Sequence, residues 1–381
     1  MRIVLGHTNF VVTGGTETYM LTVAQELLAL GHDVTIYGAE ELGQAAADAR
    51  SAGIPVAGAF DELPQNCEAT LANDSSTAFE LAARYPGAAH TMVVHSSFFQ
   101  LQSPPQLEGV CDRLIVLNDR IRAHVESLAF HAPITRLTQP VDTLRFGPQG
   151  EDPQVARSAL VLGNYMTGAN AKYVSEACTS AGIEPVFAGL QSDFAAEPER
   201  AIAAADLVIG LGRCIVEAMS GRRAAYVFGI AGGDGWVTEE SYRQLEADGF
   251  AGGGTDEAIS FDRLARDLAD WSPKMGAVNR QIALAKHDAA DHARALVAVF
   301  HSINPGSSAI SLDAAGENAR LIRAEWRMWN NWSRSVTENR KLQAALDAER
   351  RAHHALTETR RHKLASLLLA PLDLLKKLLR R

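Results

Sequence analysis

Short apolar runs alternate with stretches of helical spacing through residues 1–300. Arg2 to Leu5 is predicted as a strand, followed by a loop from Gly6 to Gly15. Tyr19, Val23, Leu27 and Leu30 then recur along one helical face. Gly31-His32 ends that helix, and Val34 to Tyr37 makes the next strand. Ala69–Leu71, Ala89–His95 and Arg113–Leu117 have the continuous apolar character of strands buried on both faces. Around Pro140 to Gly150, Pro, Gly and charged residues interrupt the pattern as a linker does. A second series follows, with strands at Ala159–Leu162, Pro185–Ala188, Leu207–Gly210 and Ala224–Phe228. Its helices are predicted at Ala171–Ser180, at Glu199–Ala205 and from Ile215 to Met219. Such alternation predicts an α/β protein of two Rossmann-like domains, residues 1–148 and 149–305, with a ligand cleft between them. A C-terminal helical tail, residues 306–381, completes the chain.

The tail follows a different pattern. Residues 312–356 are rich in Ala, Arg, Glu and Gln and contain no Pro. Leu342 and Leu346 keep helical spacing, but no heptad is sustained for three repeats, so a coiled coil stays open beside a single long helix. The segment HKLASLLLAPLDLLKKLLRR, residues 362–381, is apolar over much of its surface and basic at its edges. It is too short and too charged to span a bilayer and suits an interfacial helix on an anionic membrane surface. Pairing through 312–356 as a homo-oligomer is the competing use of the tail.

Charge sharpens this division. The net charge is −9, yet residues 311–381 hold 15 basic and 8 acidic groups, so an acidic body carries a basic tail. The acidic body argues against a nucleic-acid partner. With 47% hydrophobic and 21% charged residues over 381 positions, the chain reads as an ordinary globular protein with room for two domains. There is no apolar run of about 18 residues and no signal-peptide pattern, and Cys67, Cys111, Cys178 and Cys214 are scattered without a CxxC pair. The expectation is a cytoplasmic protein, at most peripheral on the inner membrane face, without a disulfide framework or a zinc motif.

Three places can carry chemistry. Gly14-Gly15 precede a helix, where the backbone approaches a ligand closely and free N–H groups favour anions. The spacing matches neither GxGxxG nor a P-loop, and a plain strand-to-helix turn is the alternative. His95 ends an apolar run, at the carboxyl end of a strand facing the cleft, where it can bond a substrate hydroxyl or phosphate; a satisfied, partly buried His is the alternative. Residues 205–242 read strand, glycine turn, helix, strand, glycine turn, helix. Glu217 sits early in the first of these helices after Gly210 and Gly212, placed to accept two ribose hydroxyls while the preceding amides face a diphosphate. Gly232, Gly233 and Gly235 are read as a second flexible loop.

Residues 1–300 resemble retaining glycosyltransferases of the GT-B fold, most closely those of family 4. GGTETYMLTVAQELLALGHDVTIY is similar to the family's N-terminal glycine loop, helix and second strand. MVVHSS resembles the strand that ends in a sugar-contacting His, and QPVDTLRFGP the segment before the interdomain crossover. GLGRCIVEAMSGRRAAYVFG resembles the nucleotide-binding helix with its ExxxxxxxE element. The resemblance implies roles for Gly14 and Gly15 along the cleft, His95 on the donor sugar and Glu217 on the ribose. The departures are specific. Ile209 stands where the family's first Glu would be. Gly163 and Asn164 stand where its diphosphate-binding Arg is expected, and Lys172 is out of register. Asn164, Gly212, Arg213, Gly232 and Gly233 complete the expected donor site, with Arg213 supplying the missing positive charge.

The resemblance implies transfer of a sugar from a nucleotide-sugar donor, with retention, without metal and without a cofactor, and the basic tail fits a cell-surface polysaccharide or lipid-linked acceptor. His95 and Glu217 are the expected catalytic pair. A non-catalytic GT-B scaffold that has lost part of its donor site is the alternative, and a nucleotide-sugar isomerase of the same fold a further one. A nicotinamide dehydrogenase is disfavoured, because the first loop lacks GxGxxG and no acid ends the second strand.

Overall fold

Ile3, Val4 and Leu5 are fully buried and lie at the start of an inner strand of the first sheet. The structure, a computed structural model, describes residues 1–358 and residues 364 and 368. Left outside this description are 13, 129, 131, 164–165, 190–196, 230–231, 255–258 and 307–309. Residues 1–322 form one compact unit and residues from 323 onward a second.

The first lobe runs β1 (Arg2–Phe10), α1 (Gly15–Ala29), β2 (Asp33–Leu42), α2 (Gln44–Ser51), β3 (Val56–Ala57), β4 (Ala69–Ala72), α3 (Ser75–Arg84), β5 (Ala89–Val94), β6 (Arg113–Val116), α4 (Asp119–Ser127) and β7 (Ile134–Arg136). Its seven strands, in the order β3-β2-β1-β4-β5-β6-β7, are parallel throughout. The strands are apolar because helices cover both faces.

The second lobe runs β8 (Ser158–Leu162), α5 (Gly168–Ser180), β9 (Glu184–Ala188), α6 (Pro198–Ala204), β10 (Leu207–Gly210), α7 (Arg213–Ser220), β11 (Ala224–Gly229), β12 (Gly232–Trp236), α8 (Tyr242–Ala247), α9 (Phe261–Ala269) and α10 (Lys274–Lys286). Its sheet has the order β12-β11-β10-β8-β9. The chain then continues into α11 (Ala289–Ser302) and α12 (Leu312–Glu358).

Three expectations are corrected. β1 does not stop at Leu5 but pairs with β2 as far as Phe10↔Leu42, across a register shift between His7 and Asn9. Its polar second half is accommodated because Asp74 accepts from Thr8 N–H at 2.6 Å and from the Thr8 hydroxyl at 3.0 Å. Gly232–Trp236, expected as a flexible loop, is the antiparallel edge strand β12, with Gly233 opposite Phe228 and Gly232 opposite Gly229. Helix α11 lies within the expected second domain, 149–305, yet buries Ala293, Leu296, Val299 and Phe300 in the core formed by β1, α1 and α2. The chain therefore crosses between lobes twice, and the two crossings are tied by Val141 N–H donating to His287 O at 2.8 Å and Ala289 N–H to Val141 O at 3.1 Å.

The tail boundary at 306 differs as well. Ala315 at the start of α12 packs into the first lobe's core with Leu114, Val116 and Ile121. In the second unit, Trp326 and Trp329 stack with ring centroids 5.3 Å apart. Apart from Leu364 and Leu368, the expected membrane segment 362–381 lies outside the described residues.

Candidate functional site

The carboxyl ends of β1, β5, β6 and β10 open onto one cavity of about 410 Å³ between the two lobes of residues 1–322. Gly15 and Thr16, from the start of α1, form one part of its wall. His95, Phe99 and Gln102 come from the loop after β5, and Asn118 and Arg120 from the start of α4. Leu211, Gly212 and Arg213 approach from the second lobe, with Gly249, Phe250 and His287 beside them. This placement follows from topology: in open parallel sheets the loops after the strands converge at one edge.

Gly212 takes φ +64°, ψ −128°, a conformation that glycine alone adopts without strain, and turns the chain from β10 into α7. Its N–H donates to Phe250 O at 2.8 Å, so that amide is engaged within the protein. Arg213 opens α7. Its Nε donates to Glu217 Oε1 at 2.7 Å, its Nη1 to Pro140 O at 3.2 Å and its Nη2 to the Thr22 hydroxyl of α1 at 3.2 Å. One guanidinium thus joins α7, the crossover and the first lobe. Burial raises the Glu217 carboxyl above the ordinary carboxylate range, against the opposing pull of Arg213.

His95 is fixed by Asn73. The Asn73 amide nitrogen donates to Gly6 O at 3.4 Å, leaving its Oδ1 to accept from His95 Nε2–H at 2.8 Å. Nδ1 of the neutral ring is then an acceptor. The ring meets Tyr19 edge-on, centroids 5.0 Å apart. Burial, reinforced by the nearby charges of His7 and Arg213, pushes the His95 pKa down to about 3. Behind it, the Tyr19 hydroxyl donates to His292 Nε2 at 2.9 Å, and His292 Nδ1–H donates to Thr138 O at 3.0 Å. His287 makes the equivalent pair, donating to Gln139 O at 2.7 Å and accepting from the Tyr242 hydroxyl at 3.0 Å. Burial holds both histidines neutral, with pKa values of about 4.

Ion pairs also close the seam beside the cavity. Arg120 of α4 lies 3.1 Å from Asp248, after α8. Arg136 of β7 reaches Glu246 of α8 at 2.5 Å and Asp119 at 2.7 Å.

Of the residues singled out in the sequence, Gly15, His95, Gly212 and Arg213 stand on the cavity wall, and Glu217 lies one turn behind Arg213. Gly14 caps α1. Gly232 and Gly233 are in β12, outside the wall, and Asn164 lies outside the described residues. Ile209 is fully buried in β10 between Val161 and Tyr226. Asn73, Tyr19, Arg120 and His287 were not anticipated. Their partners lie tens to hundreds of positions away, and only the His287/His292 pair flanking the start of α11 leaves a local trace. Among the described residues no group of three or more His, Cys, Asp or Glu side chains is arranged to hold a metal ion. Among the same residues no helix is long and apolar enough to cross a membrane.

No family model matches the sequence, and no curated protein matches it. Solved structures do. The Anabaena protein HepE, crystallised with UDP and glucose, is 12% identical with a TM-score of 0.57, covering 80% of this chain and 100% of its own. A glycosyltransferase from Rickettsia africae is 14% identical with a TM-score of 0.55, covering 79% and 98%. An α-glucosyltransferase bound to UDP and a DNA 13-mer is 11% identical with a TM-score of 0.56, covering 79% and 99%. The two lobes and the returning α11 therefore define the GT-B fold.

Proposed function

We propose that the protein is a glycosyltransferase that moves a sugar from a nucleotide-sugar donor to an acceptor hydroxyl. The observation that carries this reading is the convergence of His95, Arg213 and the starts of α1 and α7 on one interlobe cavity. In the reaction the bond between the anomeric carbon and the diphosphate oxygen breaks. A bond to the acceptor oxygen forms, and the acceptor proton leaves with the departing diphosphate. Charge builds on that diphosphate, so Arg213 and the positive ends of the two helices are placed to stabilise it. Neutral His95, with Nδ1 as an acceptor, suits a sugar hydroxyl, and Glu217 suits the ribose once Arg213 turns to the diphosphate. Retention and independence of metal belong to the same proposal.

UDP is the first nucleotide to test, since two of the similar structures hold it. A ligand at about 100 times its Kd adds roughly 2.7 kcal/mol to stability, a readable thermal shift. We expect base-selective stabilisation by UDP or another nucleoside diphosphate, lost in Arg213→Ala, and sugar transfer to a lipid-linked or polysaccharide acceptor. Silence across UDP, GDP, dTDP, ADP and CMP would overturn the reading.

A non-catalytic scaffold is the second reading. It is favoured by Ile209, which is buried in the sheet where the resembling family carries a glutamate, and by the Glu217 carboxylate already bonded to Arg213. Tight nucleotide binding with no turnover on any acceptor would select it. For the tail we propose attachment of 362–381 to anionic lipid and self-association through 312–356. Replacing Leu367, Leu368 and Leu369 with Asp should abolish co-sedimentation with anionic vesicles; unchanged sedimentation removes the membrane role.

A further inference from the structure

His7 lies on β1 with an acidic side chain on each side of its ring. Nδ1 is 2.9 Å from Asp74 Oδ2, and Nε2 is 3.7 Å from Glu17 Oε1. Carboxylates only accept, so both ring nitrogens face acceptors and the arrangement calls for the doubly protonated imidazolium. Asp74 is fully buried and cannot turn away. It accepts from Thr8 N–H, the Thr8 hydroxyl, the Ser76 hydroxyl and Thr77 N–H as the N-cap of α3. On the other side, Gly14 N–H is shared between Val12 O at 2.8 Å and Glu17 Oε2 at 3.1 Å, the second bond closing the capping box at the start of α1. The next two residues, Gly15 and Thr16, are cavity wall. A line of hydrogen bonds, joined through one 3.7 Å ion-pair contact between His7 and Glu17, therefore runs from the fixed β4–α3 turn to the loop that lines the cavity.

The geometry points to Asp74–His7–Glu17 as a charge relay that positions the Gly14–Gly15 loop for the nucleotide-sugar ligand. None of the three carboxylate or imidazole groups is on the cavity wall, so they are positioning residues. The assignment rests on the glycosyltransferase reading only for the ligand; the control of the loop stands on the bonds themselves. Burial opposes the charge on His7, but the hydrogen bond to Asp74 and the neighbouring charges of Asp74 and Glu17 outweigh it and carry the pKa up to about 9. The charged groups facing His7 are Asp74 from the start of α3 and Glu17 from α1; His95, just after β5, is close and neutral. The relay is thus intact at neutral pH and loses its central charge as pH rises through about 9.

The test uses the full chain and two variants, Glu17→Gln and His7→Gln. At pH 7, without ligand, amide hydrogen exchange at Gly14 and Gly15 should quicken roughly tenfold in both variants, the loss of one charge-assisted hydrogen bond, while exchange in the middle of α1 is unchanged. UDP affinity, followed by titration calorimetry from pH 7 to 10, should fall roughly tenfold through about pH 9 in the wild type and stay flat and weak in Glu17→Gln. Wild-type exchange rates at Gly14 and Gly15 in Glu17→Gln would overturn the relay, as would identical pH profiles. If His7→Gln fails to fold, Glu17→Gln decides alone, because Glu17 is on the rim of the core. Absence of UDP binding by the wild type at pH 7 counts against the function; the exchange comparison still decides the relay.

Discussion

Arg213 Nε lies 2.7 Å from Glu217 Oε1, one turn apart on α7, and the same guanidinium reaches the Thr22 hydroxyl of α1 and the carbonyl of Pro140. Both side chains are nearly excluded from solvent, at 12% and 8% exposure. Removing one partner from such a pair leaves the other charge buried, which costs about 3–5 kcal/mol. We expect Glu217→Ala to destabilise by that amount. Glu217→Gln keeps an acceptor for Nε and should cost about half as much. Urea denaturation of the two variants checks this; equal stability of Glu217→Ala and wild type would mean that Arg213 finds water instead.

Lobe contact can be perturbed without touching the cavity's charges. Gly249 has φ +74°, and a Cβ added there would sit 2.4 Å from Asn118 Nδ2 across the seam. Gly249→Ala should therefore force the lobes apart beside the Arg120–Asp248 pair. We expect a larger radius of gyration in small-angle scattering and weaker nucleotide binding. Asn118→Ser/Gly249→Ala should restore closure, because serine is shorter and still caps α4. A double variant as open as the single one would show that backbone strain, not the clash, sets the effect.

Stability should peak near pH 6.5. His95, His287 and His292 are buried neutral with folded pKa values of about 3 to 4, so below the unfolded value of 6.5 the unfolded chain binds protons that the folded one does not. Each such group removes roughly 1.4 kcal/mol per pH unit on the acid side. His7 acts in the opposite sense. Its folded pKa of about 9 contributes stability that is complete below 6.5 and lost as pH rises through 9. Burial lowers the pKa of His90 as well, so with four buried histidines on the acid side and one on the alkaline side, the acid limb should be the steeper. Denaturant titrations at pH 5, 6.5 and 8.5 measure both limbs, and His7→Gln should flatten the alkaline one. A maximum at pH 9 or above would contradict the assignment.

The alternation of β and α elements was legible because buried parallel strands are short, continuous apolar runs; Ala159–Leu162, Leu207–Gly210 and Ala224–Phe228 each fall within one residue of the observed strand. β12 was not, since GGDGW contains almost nothing with strand propensity and owes its conformation to the ladder with β11. The extension of β1 through His7, Thr8 and Asn9 was hidden for a related reason: Asp74, more than sixty positions away, satisfies it. Glycine turns leading into helices are local patterns, so Gly15, Gly212, Arg213 beside the turn and Glu217 early in the helix could be singled out. Asn73 behind His95 and the return of α11 to the first lobe are consequences of topology, which no local spacing encodes.

Ile209 offers the most direct test of the departure from the resembling family. Its side chain is fully buried in β10 in a core shared with Val174, Tyr226 and Phe228, and its backbone neighbours in the sheet are Val161 and Tyr226. A glutamate there would bury a carboxyl among apolar groups. Ionised, it would have no partner; protonated, it would still lack a bond for its hydroxyl. Ile209→Glu should therefore cost about 4 kcal/mol or more, the range reserved for buried unpaired charges, and give no gain in nucleotide affinity. Thermal unfolding and nucleotide titration of this single variant separate the possibilities. Near-normal stability with tighter donor binding would mean that residue 209 reaches the cleft and that a lost donor contact has been restored.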